Sequence, residues 1–263
     1  MHLKRLLIAI IFLPLFYLYI NYLPSIYFFV LIFCVGIIAL YEFYLMYRLP
    51  VVLSISGVLS GGILLYTAHF LPAYFKDALF IAVFALLLLR LLVIRTPIGA
   101  IKDAGTLALG LLYIPCLLSF MFPLIAHGKE YILLLFTSVW LSDILAFYIG
   151  SSIGKHKLYT SVSPNKTIEG AISSLIGGLL GAIIIKSLFP FMAITGINIA
   201  FIGIILGASA IAGDLLESMF KRDAGVKDSS NLIPGHGGML DKLDSIIIAG
   251  PVLYYLLYLL RVI

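Results

Sequence analysis

The chain has 263 residues, of which 63% are hydrophobic and 11% charged, with a net charge of +5. A soluble domain carries about 25% charged residues, so the composition excludes a water-solvated globule and makes lipid the main solvent. The modest positive charge reads as an orientation signal rather than a nucleic-acid footprint.

Apolar runs of the length needed to cross a bilayer, roughly 20 residues, recur from end to end. The pattern predicts an all-α, polytopic membrane protein of about nine transmembrane helices. The first five spans are expected near Arg5–Asn21, Ser25–Tyr47, Val51–Phe70, Asp77–Ile94 and Gly105–Ala126. The last four are expected near Tyr131–Gly150, Ile168–Leu188, Ile197–Phe220 and Asp244–Val262. The first run follows Lys4 and Arg5 but has Pro14, several tyrosines and no small-x-small cleavage site, so it reads as a retained span rather than a signal peptide. Breaks fall at Pro24, Pro50, Pro72, Pro97 and Pro190, and at two polar segments, Ser151–Thr167 and Lys221–Lys242. Cys34 and Cys116 sit in apolar runs without metal-ligand spacing and read as small apolar residues.

Placing the N-terminus in the cytoplasm puts thirteen of the seventeen Lys and Arg residues on that side. Only Lys76, Lys129, Lys186 and Arg261 fall opposite. Such a bias predicts a cytoplasmic N-terminus, an external C-terminus and cytoplasmic polar segments. The chain divides accordingly into an N-terminal set of spans, 1–126, read as scaffold with a possible role in dimerisation or lipid passage, and a C-terminal region, 127–263, carrying both polar segments. Three G-x-x-x-G pairs, Gly57 with Gly61, Gly177 with Gly181 and Gly203 with Gly207, predict close helix contacts. Such spacings serve packing within a chain or a homodimer seam equally well.

Eight of the twelve acidic residues lie between Asp143 and Asp244. Carboxylates inside spans are costly and usually functional. Asp143 falls in the sixth expected span, Asp214 and Glu217 share a face of the eighth, and Asp241 and Asp244 open the ninth. The last pair complements a helix dipole, but it also follows Pro234, Gly235, His236, Gly237 and Gly238. A loop so short of side chains lets backbone N–H groups approach phosphate. Carboxylates beside it suit Mg²⁺, which is commonly held by one or two carboxylates plus substrate phosphates. Lys221, Arg222, Lys227 and Lys242 flank the segment. Cations, glycines and carboxylates together are the requirements of phosphoryl or nucleotidyl transfer. Ser163, Asn165, Lys166 and Thr167 precede the seventh span; Thr167 reads as a helix N-cap, and Lys166 as a second phosphate-facing edge.

The 27 residues from Ser218 to Asp244 resemble the signature of the CDP-diacylglycerol synthases, or phosphatidate cytidylyltransferases. The resemblance rests on Ser218, Lys221, Arg222, Lys227, Asp228, Ser230, Ile233, Pro234, His236, Gly237, Gly238, Met239, Asp241, Leu243 and Asp244. Asp143, Ala146 and Gly150 upstream, and Ser163, Pro164, Lys166, Thr167, Glu169 and Gly170, extend it. Lys242 departs from the arginine usual in the family, keeping the charge but not the bidentate geometry.

The resemblance implies that CTP and phosphatidic acid give CDP-diacylglycerol and pyrophosphate with Mg²⁺, at the cytoplasmic face of the cytoplasmic membrane. It assigns the metal, one ion or two, to Asp214, Asp241 and Asp244, with Asp143 and Glu217 as weaker candidates. Lys221 and Lys227 join the three aspartates in catalysis. Ser163, Asn165, Lys166, Thr167, Arg222, His236, Gly237 and Gly238 form the substrate-binding set. His236 serves equally well as a structural donor in its turn. The nearest alternative is a polyprenol or dolichol kinase, which transfers a phosphoryl group; an ion transporter would not need the long Lys221–Asp244 segment. CDP-alcohol phosphatidyltransferases are disfavoured, because their D-x2-D-G-x2-A-R core is absent.

Overall fold

A computed structural model describes residues 14–232 and 237–263. The chain is a bundle of long helices with one small β-hairpin. Helix α1 is described over 14–22, so most of the first expected span lies outside the described residues. There follow α2 (Ser25–Met46), α3 (Val51–Phe70), a 3₁₀ turn at Pro72–Tyr74, and α4 (Phe75–Ile94). The fifth expected span is interrupted: α5 (Ala100–Leu111) runs through a π-turn at Leu112–Cys116 into α6 (Met121–His127). Pro115 lies in that turn; proline cannot donate to the helix ladder, and a π-turn accommodates the break. Beyond it lie α7 (Lys129–Ile153), β1 (Lys157–Tyr159), β2 (Ser163–Thr167), α8 (Ile168–Leu188), α9 (Gly196–Asp223) and α10 (Leu240–Leu259). Eight helical segments among the described residues are long and apolar enough to cross a membrane, which makes this an all-α polytopic membrane protein. The boundaries depart from expectation where they matter most. Helix α9 continues past Phe220 through Lys221 and Arg222, and α7 runs three residues beyond Gly150.

In the first half of the chain the core closes around Tyr44. Its ring is fully buried between Gly57 of α3 and Gly110 of α5, and its hydroxyl donates to the Leu107 carbonyl at 3.1 Å. Gly61 makes room for Leu40. In the second half, glycines bring three helices into backbone contact. Gly177 and Gly181 of α8 abut Leu141, Ser142 and Ser138 of α7, while Gly203 and Gly207 of α9 face Gly178, Ser174 and Leu175 of α8. A Cβ at Gly178 would strike the Gly203 carbonyl and the Gly207 backbone. All three G-x-x-x-G pairs are therefore occupied by packing within one chain.

Serines cross-link this close-packed region, where lipid offers no competing water. Ser142 donates to the Ser174 carbonyl (2.7 Å), Ser174 to the Gly207 carbonyl (3.1 Å), and Ser245 to the Ala210 carbonyl (3.1 Å). The bonds join α7 to α8, α8 to α9, and α10 to α9. They hold in register the helices that carry Asp143, Asp214 and Asp244.

Candidate active site

A cavity of about 670 Å³ opens between α7, α8, α9, α10 and the hairpin. Its walls include Asp143, Asp214, Asp241 and Asp244, the lysines Lys157 and Lys166, and Asn165, Thr167, Ser174 and Ser245. The volume lies within the range of about 300–1,000 Å³ usual for small-molecule sites. Apolar residues, among them Ala146, Phe147 and Ile211, line the rest.

The polar segment expected between α7 and α8 folds as a hairpin. Lys157 pairs with Thr167 and Tyr159 with Ser163 in antiparallel register. Glu169, in the first turn of α8, anchors it by accepting from the His156 ring nitrogen Nδ1 (2.7 Å) and backbone N–H (3.3 Å). The Thr167 hydroxyl accepts from Gly170 N–H at 3.1 Å, confirming it as the N-cap of α8. Gly150 and Gly154 leave room for that hydroxyl against the end of α7. The hairpin thereby carries Asn165 and Lys166 to the cavity wall, where Lys166 Nζ pairs with Asp214 Oδ2 at 2.7 Å.

The four cavity aspartates are held very differently. Asp241 is saturated. Its Oδ1 meets the Lys221 ammonium at 2.5 Å, and its Oδ2 accepts from Ser229 N–H (2.9 Å), Ser229 Oγ (2.8 Å) and Gly238 N–H (2.7 Å). Gly237, with φ of 84°, sits in the left-handed region and turns the chain around this carboxylate. In this arrangement Gly237 and Gly238 close around Asp241. Asp214, by contrast, is 38% exposed in its side chain, pairs ionically with Lys166 and accepts a hydrogen bond from Ser218 (3.3 Å). Asp244 accepts from its neighbour Ser245 N–H at 2.8 Å, and Asp143 has Ser245 Oγ at the 3.5 Å limit of hydrogen bonding. Asp143, Asp214 and Asp244 thus face the cavity with acceptor capacity to spare.

That donor set fits Mg²⁺. Among the described residues no three His, Cys, Asp or Glu side chains converge into a ready-made cation cage. Mg²⁺ rarely needs one, since it keeps waters and is commonly completed by substrate phosphates. Hard carboxylate oxygens short of donors, beside a cavity, would supply the protein's half of such a site.

Other expected site residues stand elsewhere. Lys221 is 8% exposed and does not line the cavity; it lies behind Asp241, where its ammonium also pairs with Glu217 one turn earlier on α9. Arg222 is bound to the Val162 carbonyl (3.2 Å) and the Val226 carbonyl (2.9 Å), tying the end of α9 to the hairpin turn. Lys227 is exposed beyond α9, and Ser163, Gly237 and Gly238 lie outside the cavity wall. His236 lies outside the described residues. Sequence reasoning passed over Lys157, Ser174 and Ser245, all of which reach the cavity. It also passed over Glu42, a buried carboxylate of α2 hydrogen-bonded to residues of the 229–240 segment. Its signal was available: an acidic residue inside an otherwise apolar span.

Membrane-crossing helices around a cavity that opposes lysines to carboxylates make an integral-membrane protein whose cavity suits a phosphate-bearing molecule. A family model described as the cytidylyltransferase family matches residues 3–260, and the chain belongs to that family. The phosphatidate cytidylyltransferase of Bacillus subtilis (strain 168) is 35% identical over 244 residues, 88% of each chain. That of Synechocystis sp. is 34% identical over 232 residues, 84% of this chain and 69% of the relative. That of Staphylococcus saprophyticus is 35% identical over 214 residues, 78% of this chain and 80% of the relative.

Proposed function

We propose that this protein is a phosphatidate cytidylyltransferase, converting CTP and phosphatidic acid to CDP-diacylglycerol and pyrophosphate. The observation that carries the reading is the cavity shared by Lys157, Lys166, Asp143, Asp214 and Asp244, in a chain about one-third identical to enzymes of that name over most of its length. In the reaction an oxygen of the lipid phosphomonoester attacks the α-phosphorus of CTP. The bond between the α-phosphorus and its bridging oxygen to the β-phosphate breaks, and pyrophosphate leaves. The attacking monoester is already anionic near neutral pH, so no protein base is required. The protein's task is to bring two polyanions together and align them.

Lys157 and Lys166 neutralise phosphate oxygens, and Asn165 donates from its amide. The Thr167 hydroxyl uses a lone pair for its cap and keeps its proton to donate. Asp214 and Asp244, with Asp143 beside them, would hold Mg²⁺, which supplies charge neutralisation on the triphosphate when bound. Asp241 and Lys221 act one layer back, fixing the turn from which α10 starts. The positive-inside distribution supports a cytoplasmic N-terminus and a cavity that faces the cytoplasm. The lipid would reach it with its acyl chains still in the bilayer.

The test is incubation of detergent-purified protein with phosphatidic acid, Mg²⁺ and CTP labelled on the α-phosphate. Label should enter the chloroform phase with one pyrophosphate released per lipid labelled. Entry of a γ-label in its place would show phosphoryl transfer and overturn the reading.

A further inference from the structure

Glu42 lies on α2, in the half of the chain whose described residues supply nothing to the cavity wall. It is 3% exposed, and among the described residues no Lys, Arg or His pairs with it. A carboxylate so buried must be satisfied by hydrogen bonds. Four donors among the described residues reach it, and each oxygen takes two. Oε1 accepts from Ser230 Oγ (2.6 Å) and Met239 N–H (3.0 Å). Oε2 accepts from Ser229 Oγ (3.1 Å) and Leu240 N–H (2.8 Å). Each oxygen therefore takes one hydroxyl from the start of the 229–240 segment and one amide from its end.

Two consequences follow for α10. Met239 is its N-cap and offers no side-chain cap bond, while Leu240 is its first residue. The first N–H groups of a helix have no intrahelical partner, and here α2 supplies the acceptor across nearly 200 residues of sequence. Glu42 caps α10 from outside. The Ser229 hydroxyl also lies within reach of both Glu42 and Asp241, so its single proton is shared between the two carboxylates. Gly238 packs so closely over Ser229 and Glu42 that a Cβ would collide with both. The start of α10, and with it the direction in which Asp241 and Asp244 leave the helix, is set by this contact.

We infer that Glu42 is a positioning residue for cytidylyl transfer, clamping Ser229 and Ser230 to the start of α10 and phasing α10 so that Asp244 faces the cavity. The inference rests on the reading of that cavity as the reaction site. The experiment compares wild type, Asp244→Asn, Glu42→Gln and Glu42→Asp, purified in detergent, for kcat, for KM of each substrate and for melting temperature. An active wild type and an inactive Asp244→Asn establish the site independently of Glu42.

Glutamine keeps one acceptor oxygen but turns an NH₂ toward a hydroxyl and an amide N–H. Glu42→Gln should lower kcat about tenfold or more while KM for CTP changes less than threefold. Glu42→Asp, which keeps both acceptors, should recover part of the loss. A folded Glu42→Gln enzyme with wild-type kcat overturns the proposal. So does a loss in which KM rises in step and aspartate recovers nothing. If Glu42→Gln does not fold, Ser230→Ala decides: a threefold or greater fall in kcat supports the clamp, and an unchanged kcat overturns it.

Discussion

Lys221→Met removes a cation from between two buried carboxylates while keeping much of the side chain's length. Lys221 is 8% exposed, Glu217 is fully buried, and the Asp241 side chain is 9% exposed, so water screens this cluster poorly. The two acids are not equally dependent on the lysine. Asp241 would retain Ser229 N–H, Ser229 Oγ and Gly238 N–H as donors. Glu217 accepts no hydrogen bond among the described residues and, without its ion-pair partner, must either hold an unpaired buried charge or take up a proton, each at a cost near neutral pH. Removing one partner of a buried ion pair costs about 3–5 kcal/mol, and the cost should fall mainly on Glu217. We therefore expect Lys221→Met to lose about 3–5 kcal/mol, measured by titrating SDS into mixed micelles and following helicity. Adding Glu217→Gln to the Met variant should restore most of the loss, since the amide removes the stranded charge. Glu217→Gln alone should be the mildest of the three, because Lys221 keeps Asp241. A Lys221→Met protein within about 1 kcal/mol of wild type, the value of a solvent-screened surface pair, would refute the reasoning. A double variant no more stable than Lys221→Met would refute it equally.

Three further outcomes are expected. Asp244→Asn should lower turnover about a hundredfold or more, the scale of losing a preorganised electrostatic group, with melting in detergent unchanged; EDTA should abolish wild-type turnover and added Mg²⁺ restore it, as a label-transfer assay will show. Lys166→Met should raise KM for CTP about tenfold, equivalent to about 1.4 kcal/mol of binding, because it also leaves Asp214 facing the incoming phosphates without its partner; an unchanged KM removes Lys166 from the phosphate site. Gly178→Ala should cost about 1–3 kcal/mol by forcing α8 from α9, whereas Gly105→Ala, whose Cβ meets nothing within 4 Å, should be neutral or stabilising in the same SDS titration.

The membrane class, the approximate spans and the family were legible in the residues themselves, because lipid solvation imposes long apolar runs and the Ser218–Asp244 signature is dense. The aspartates at 143, 214, 241 and 244 stood out because carboxylates are costly inside apolar spans. The cap at Thr167 was also readable, since capping is local chemistry completed within three residues. The hairpin was not. Its strands are three and five residues long and depend on pairing and on the Glu169–His156 contact. Lys157 was missed for the same reason, because strand pairing is what carries it beside Lys166.

Roles within the signature belong to the tertiary structure. By sequence, Lys221 and Arg222 are two cations next to a glycine-rich loop, equally suited to phosphate. Folding draws Lys221 against Glu217 and Asp241, and Arg222 onto the carbonyls of Val162 and Val226. Gly238 reads as space for phosphate, yet it is confined by Ser229 and Glu42. Glu42 itself lies 187 residues from Ser229 and 198 from Leu240, with nothing local to pair them. The sequence by itself determined the solvent, the helices and the inventory of charged groups, since these follow from composition and short-range pattern. Only the tertiary structure decided which charges neutralise one another and which remain open to a substrate. A buried carboxylate takes whatever donors the packed helices bring within about 3 Å, and that choice is made by contacts between residues far apart in the chain.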